Sequence, residues 1–234
     1  MTDFSKNEFL PHIAYDSVIF GFSGKSLKIL LMRYRNTDLY ALPGGFVGQD
    51  EDLQAAVERG IEERTGLQSV FLEQFHTFGA AQRHDAAAMQ QILEGNGFSL
   101  TKFAWMLKRF ISISYYALLH IENVTLRPDT LCDSIDWYSL DELPPLMMDH
   151  AEIVHMALRT LRNNLDRKLV GVELLPEKFT MRELQEVYEA ILGTPLRRTT
   201  FQRKMLSLEL LERHEKRFTG QAHKAPYLYS FKRQ

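Results

Sequence analysis

The sequence predicts an α+β protein of two domains, a larger mixed one followed by a small helix-turn-helix with a basic hairpin. Three observations lead there. Strand-like runs and amphipathic helices alternate over residues 15–164; a polar, charged break follows at 164–171; and the remainder changes to two short helices and an alternating hairpin rich in Lys and Arg. The length of 234 residues suits a larger and a smaller domain. With 45% hydrophobic and 11% aromatic residues, the chain has the composition of a globular protein with ample material for a core.

The elements follow in order. Ser17-Val-Ile-Phe-Gly-Phe and Leu27-Lys-Ile-Leu-Leu-Met read as a strand pair around a turn at Ser23-Gly24-Lys25. Leu42-Pro-Gly-Gly-Phe-Val47 is a glycine-hinged loop entering an extended segment. Over 52–65 the residues Leu53, Val57 and Ile61 recur every fourth position, which predicts a helix that Gly66 ends. Segments 70–75, 111–120 and 136–139 are strand-like, and the second is apolar enough for substantial burial. Residues 149–164 form a helix with Ile153, Met156, Ala157 and Leu161 on one face. The domain boundary is placed between 165 and 166. Thr180, with Glu183 three residues later, caps a helix running to 192. Gly193-Thr-Pro interrupts it, and a second helix from Thr199 carries Phe201, Met205, Leu208 and Leu211. The end, 215–232, reads as a hairpin around Thr219-Gly220, with Pro226 and then alternating Tyr227-Leu-Tyr-Ser-Phe.

Charge is divided unevenly. From Gly193 onward ten basic residues face three acidic ones, a net +7, which leaves −9 on the rest of a chain whose total is −2. Such an end meets a polyanion or is simply a solvated surface. The lone cysteine, Cys132, forms no internal disulfide, and no Cys/His cluster suggests zinc. Asp3, Lys6, Glu8 and Asp16 interrupt every early apolar stretch, against a signal peptide. No apolar run nears the roughly 20 residues that span a bilayer. A cytoplasmic protein is expected.

Residues 45–67 resemble the Nudix signature: glycine, five residues, glutamate, seven residues, then Arg-Glu-apolar-x-Glu-Glu-x-Gly-apolar. Gly45, Glu51, Arg59, Ile61, Glu63, Gly66 and Leu67 stand at the required spacing, after Pro43-Gly44. Positions i, i+3 and i+4 of a helix share a face. There the signature's three glutamates gather hard oxygen ligands around Mg²⁺ or Mn²⁺ opposite a diphosphate. This chain has Gly60, Glu63 and Arg64 instead. One carboxylate survives, one is lost and one has reversed its charge, and Arg59 or Arg64 would pair Glu63. Glu58 and Glu62 point away. A mid-helix glycine costs about 1 kcal/mol relative to alanine, so local propensity gives no reason for Gly60. No catalytic residue, metal or cofactor is expected. The competing reading is a pyrophosphohydrolase with an altered metal site.

A degenerate Nudix box ahead of a basic helical domain is similar to the Nudix-related transcriptional regulators, and the likeness covers nearly the whole chain. Phe78-Gly-Ala-Ala-Gln-Arg83, Ile111-Ser-Ile-Ser-Tyr-Tyr-Ala-Leu118, Asp149-His150-Ala-Glu-Ile-Val and Glu173-Leu-Leu-Pro-Glu-Lys-Phe-Thr180 resemble family segments. The resemblance implies a Nudix-like α/β/α sandwich with a mixed sheet, followed by a winged helix-turn-helix. It also implies a domain that binds a small effector without cleaving it, ADP-ribose or a sugar such as L-arabinose. By the same likeness Arg83 and Arg109 are ligand candidates, alternatively surface salt bridges. Asp149 is read as a helix cap, His150 as a cap or a ligand contact. Residues 86–108 exceed the family pattern and are too apolar for a solvated loop, so they form a lid or part of a dimer interface.

The C-terminal helices and hairpin read as a winged helix-turn-helix, whose second helix meets bases near its N-terminus. Arg197, Arg198, Thr199, Thr200, Gln202, Arg203 and Lys204 stand there. Arginine or lysine reads guanine and glutamine reads adenine. Lys216, Arg217, His223 and Lys224 on the wing would meet phosphates. The expected partners are a double-stranded DNA operator, a small-molecule effector and a second copy of the chain; a solvated helical appendage and an RNA-binding tail are the other readings.

Overall fold

A computed structural model of the chain describes residues 8–68, 70–166, 174–217 and 225–232. Among the described residues, ten strands and five α-helices run in the order β1 (Phe9–Phe22), β2 (Leu27–Tyr34), β3 (Tyr40–Ala41), β4 (Gly44–Gly48), α1 (Leu53–Thr65), β5 (Glu73–Phe78), α2 (Ala86–Gly95), β6 (Ile111–His120), β7 (Cys132–Ser139), α3 (His150–Asn164), β8 (Phe179–Thr180), α4 (Met181–Leu192), α5 (Arg198–Ser207), β9 (Leu211–Lys216) and β10 (Tyr227–Phe231). The first seven strands form one sheet in the order β3-β2-β1-β6-β5, with β4 also on β1 and β7 on β2. Among the described strand pairings of this sheet β1–β6 is the parallel one and the others are antiparallel, so the sheet is mixed.

Both faces of the sheet are covered, and the strands show it. Along β1, Tyr15 and Ile19 pack toward α1 with Ala56, Val57 and Ile61. Val18, Phe20 and Phe22 point the other way, to Ile153, Val154, Ala157 and Leu161 of α3. This alternation makes an α/β/α sandwich and explains why β1 and β2 read as near-continuous apolar runs. The α3-side apolar layer continues into the C-terminal region through Leu165, Leu174, Phe179, Leu184, Tyr188 and Ile191. There α4 and α5 lie beside a three-stranded sheet, β8-β10-β9, the helix-turn-helix and wing arrangement.

Helix ends follow the local chemistry. Gly66 closes α1 at φ 77°, and its N–H donates to Glu62 O at 2.8 Å. Thr180 and Glu183 form a reciprocal capping box at the start of α4, and Gly193 ends it at φ 71°. Several boundaries differ from the sequence expectation, beginning with β1, which starts at Phe9 and not near Ser17 because its first residues pair with β4 and β6. The strand expected at 70–75 lies at Glu73–Phe78, because pairing with β6 starts only at Glu73 and Phe71 is exposed. The one expected at 136–139 is longer, since β7 pairs with β2 from Cys132 onward. Helix α5 stops at Ser207; Glu209 turns the chain at φ 56°, and Leu211 opens β9 instead of extending the helix. The turn expected at Thr219-Gly220, with His223 and Lys224, lies outside the described residues.

Candidate functional site

The box helix α1 shows why its chemistry changed. Arg59 grips Glu51 with two bonds, Nε to Oε1 at 2.7 Å and the terminal nitrogen to Oε2 at 2.9 Å, while its other arm reaches Glu63 at 3.1 Å. Both surviving carboxylates of the box are thus held by one guanidinium, which keeps the Glu51 carboxyl below its ordinary range. Arg64 turns away from Glu63 and pairs with Asp129 at 3.1 Å, next to the Tyr34 ring.

Gly60 has a steric reason that the sequence did not reveal. The Tyr15 hydroxyl of β1 occupies the space beside it, and a Cβ at Gly60 or at Gly45 would collide with that oxygen. Tyr15 is 1% exposed, and burial pushes its hydroxyl up to about 12. A phenol, an arginine and two committed carboxylates do not fit Mg²⁺ or Mn²⁺. Among the described residues, no three His, Cys, Asp or Glu side chains are placed to hold a metal ion. Glu58 and Glu62 are exposed on the outer face. Cys132 is buried, which pushes its thiol up to about 12.

Beside this helix lies a cavity of about 970 Å³, its open mouth included, bounded by β1, β4, the start of α3 and the segment 86–108. That segment, expected as a lid or an interface, contributes Met89, Ile92, Leu93, Phe98, Phe103 and Met106 to the wall. Asp85 caps α2 by accepting from the N–H groups of Ala87 and Ala88, which fixes the wall at the cavity edge. A smaller recess over the box shares Tyr15, Gly45, Phe46 and Arg64 with the cavity.

The polar floor of the cavity is a buried cluster. Arg83 makes a two-pronged pair with Asp149 at 2.8 and 3.0 Å and donates to Phe110 O at 2.9 Å. Asp16 lies 3.6 Å from Arg83 and accepts from the Ser112 hydroxyl. His150 Nδ1 accepts the Leu42 N–H at 3.0 Å, so its proton is on Nε2, which faces Asp16 Oδ1 at 3.6 Å. The expected cap is therefore corrected: neither Asp149 nor His150 bonds the helix N-terminus through its side chain, because each is engaged across the cavity floor. Arg109 is exposed and lies away from the cavity lining. Tyr15, Asp16 and Asp129 were missed by the sequence reading; only Asp16, a carboxylate inside an apolar strand run, carried a local signal.

At the other end, Arg197, Arg198, Thr199, Thr200, Arg203 and Lys204 are exposed along the first turns of α5, with Gln202 half-buried beside them. Phe201 and Met205 anchor the opposite face under α4. Two of the candidate cations are engaged: Lys204 with Asp166 at 2.6 Å, and Arg217 with Glu183 at 3.0 Å. Lys216 lies over the Tyr227 ring on the wing. No helix among the described residues is long and apolar enough to cross a membrane.

Comparison with known proteins places this geometry. The NUDIX domain model matches residues 10–157, and the model for the NrtR DNA-binding winged helix domain matches residues 171–231. The ADPR responsive transcriptional repressor NtrR of Acinetobacter baylyi is 30% identical over 209 residues, covering 86% of this chain and 75% of that protein. Shewanella oneidensis NrtR, in its crystal structure with a 27mer DNA, is 26% identical with a TM-score of 0.66, over 94% of this chain and 93% of that one. An ADP-ribose pyrophosphatase of Methanocaldococcus jannaschii is 26% identical over 152 residues, 64% of this chain and 74% of that enzyme. The chain belongs to the Nudix-related transcriptional regulators that join a NUDIX domain to an NrtR DNA-binding winged helix domain.

Proposed function

We propose that this protein is a DNA-binding transcriptional repressor whose N-terminal domain, residues 1–165, senses a metabolite without hydrolysing it, and whose residues 166–234 hold the operator. The observation that carries the reading is the Tyr15 hydroxyl wedged between Gly45 and Gly60, where a Nudix hydrolase gathers carboxylates, in a chain that ends in a winged helix. The effector is ADP-ribose, after which the Acinetobacter relative is named; L-arabinose is the alternative to try beside it. The repressor acts in the cytoplasm as a homodimer, since two-fold symmetric half-sites require two copies. Arg197, Arg198, Thr199, Thr200, Gln202 and Arg203 meet the major groove, joined by Lys204 once it leaves Asp166, while Lys216, Arg217 and Lys224 meet phosphates. The effector acts by favouring one arrangement of the two winged helices over another.

Fluorescence anisotropy with labelled DNA from upstream of the protein's own gene, at two salt concentrations, tests this. Saturable binding that beats random DNA and responds to ADP-ribose supports the repressor; no preference at either salt overturns it. Turnover of ADP-ribose with Mg²⁺ would instead favour the pyrophosphohydrolase.

A further inference from the structure

We infer that Tyr227 on the wing is a positioning residue of the DNA interface, its ring holding Arg213 and Lys216 ready as a pair of contacts to the sugar-phosphate backbone. This rests on the repressor reading and adds Arg213 and Tyr227 to the surface assigned there. The strand register is what brings the three side chains together. Tyr227 pairs with Lys216 and Tyr229 with Arg213, so a step of two residues on β10 spans a step of three on β9. In a regular strand Arg213 and Lys216 would point to opposite faces; the extra residue in β9 turns both to the Tyr227 side. The Arg213 guanidinium carbon stands 4.7 Å and the Lys216 Nζ 5.2 Å from the centre of the Tyr227 ring, both within cation–π reach. Two like charges held by one ring repel each other, and a phosphate between them relieves that repulsion.

The neighbouring charges are spoken for. Arg217 is engaged by Glu183 at 3.0 Å, and Glu215 faces Lys178 at 3.6 Å. No carboxylate among the described residues pairs with Arg213 or Lys216, which leaves these two for an outside anion. Exposure points the same way. Tyr229, on the same face of β10, is 5% exposed in the core with Tyr188 of α4 and Phe201 of α5, whereas Tyr227 is 41% exposed. The stack therefore stands where the helix-covered face of the wing runs out into solvent, on the side of the sheet that carries α4 and α5. Core packing gives an aromatic no reason to be there; ordering two long cationic side chains does. Arginine and lysine lose rotamer freedom when they meet phosphate, and a ring that orders them beforehand lowers that loss.

The test is fluorescence anisotropy of the full chain on duplex DNA from upstream of its own gene and on random duplex, across a salt series. Arg213→Ala is expected to weaken both by a similar factor and to make the slope of log affinity against log salt shallower by about one, as loss of one phosphate contact does. Tyr227→Leu keeps apolar bulk but lacks the ring; it should weaken binding about three- to tenfold with the slope unchanged, because both cations remain. Tyr227→Phe, which keeps the ring, should bind within about twofold of the unaltered chain. In an Arg213→Ala, Lys216→Ala background, Tyr227→Leu should have no further effect. Tyr227→Met serves if Tyr227→Leu does not fold. An unchanged slope in Arg213→Ala, equal losses in Tyr227→Phe and Tyr227→Leu, or an undiminished Tyr227→Leu loss without the two cations overturns the inference. Failure of the repressor reading looks different: the unaltered chain binds both duplexes equally, while the salt slope still reports on Arg213.

Discussion

The arginines of the sensor and those of the winged helix live under opposite rules. In the sensor, Arg59, Arg64 and Arg83 are each held by a carboxylate, Arg83 at 5% side-chain exposure. On α5 and at its N-terminus, Arg197, Arg198 and Arg203 are exposed at the surface, and Lys204, tethered to Asp166, is half exposed. Taking a charge out of water costs several kcal/mol, so a buried guanidinium needs its carboxylate, whereas an exposed one is already solvated and stays available to a polyanion. The contrast teaches that the same residue type marks structure in one domain and a binding surface in the other, and burial decides which.

The strongest way to break this comparison is Asp149→Ala, which strands Arg83 in the core. A loss of about 3–5 kcal/mol is expected in urea unfolding; a loss under 1 kcal/mol would mean that Arg83 does not depend on its partner. Next, Gly60→Ala should cost about 1–3 kcal/mol through overpacking against Tyr15, although alanine is the better helix former. Placing the same change in a Tyr15→Phe background should recover part of the cost, since the hydroxyl is the nearest atom to the added carbon; full additivity of the two would refute the steric account. On the DNA side, Arg203→Ala should weaken operator binding by about 1–3 kcal/mol in anisotropy, as expected for a base contact. Arg59→Ala, in the sensor, should leave it within twofold. The smallest effect is reserved for the exception. Asp166→Ala releases Lys204 from an ion pair worth about 0.2–1 kcal/mol, so operator affinity should rise two- to threefold; weaker binding would show that the pair holds α5 in its DNA-ready position.

Much of the fold was legible because it rests on periodicity and end chemistry. Leu53, Val57 and Ile61 marked the buried stripe of α1, and the Thr180/Glu183 capping box marked the start of α4, with no help from distant residues. The end of α5 was not legible. Leu208 and Leu211 continue an apparent apolar stripe, but the backbone turns at Glu209 so that β9 can pair with β10. Edge positions of this kind are set by pairing with strands far along the chain.

The site divides along the same line. The sequence by itself determined that the metal-binding box had lost its carboxylates at Gly60 and Arg64, that a basic helix-turn-helix follows, and that residues 86–108 are too apolar to be solvated. Spacing and composition carry that information locally. Only the tertiary structure decided what fills the gap. Tyr15, 45 positions before Gly60 in the numbering, puts its hydroxyl there. Arg83 finds Asp149, 66 residues away, and Asp16 and His150 meet at the cavity floor with bonds to spare. Such partners are chosen by the sheet register and by the need to neutralise charge at low dielectric, and neither leaves a trace in a local pattern.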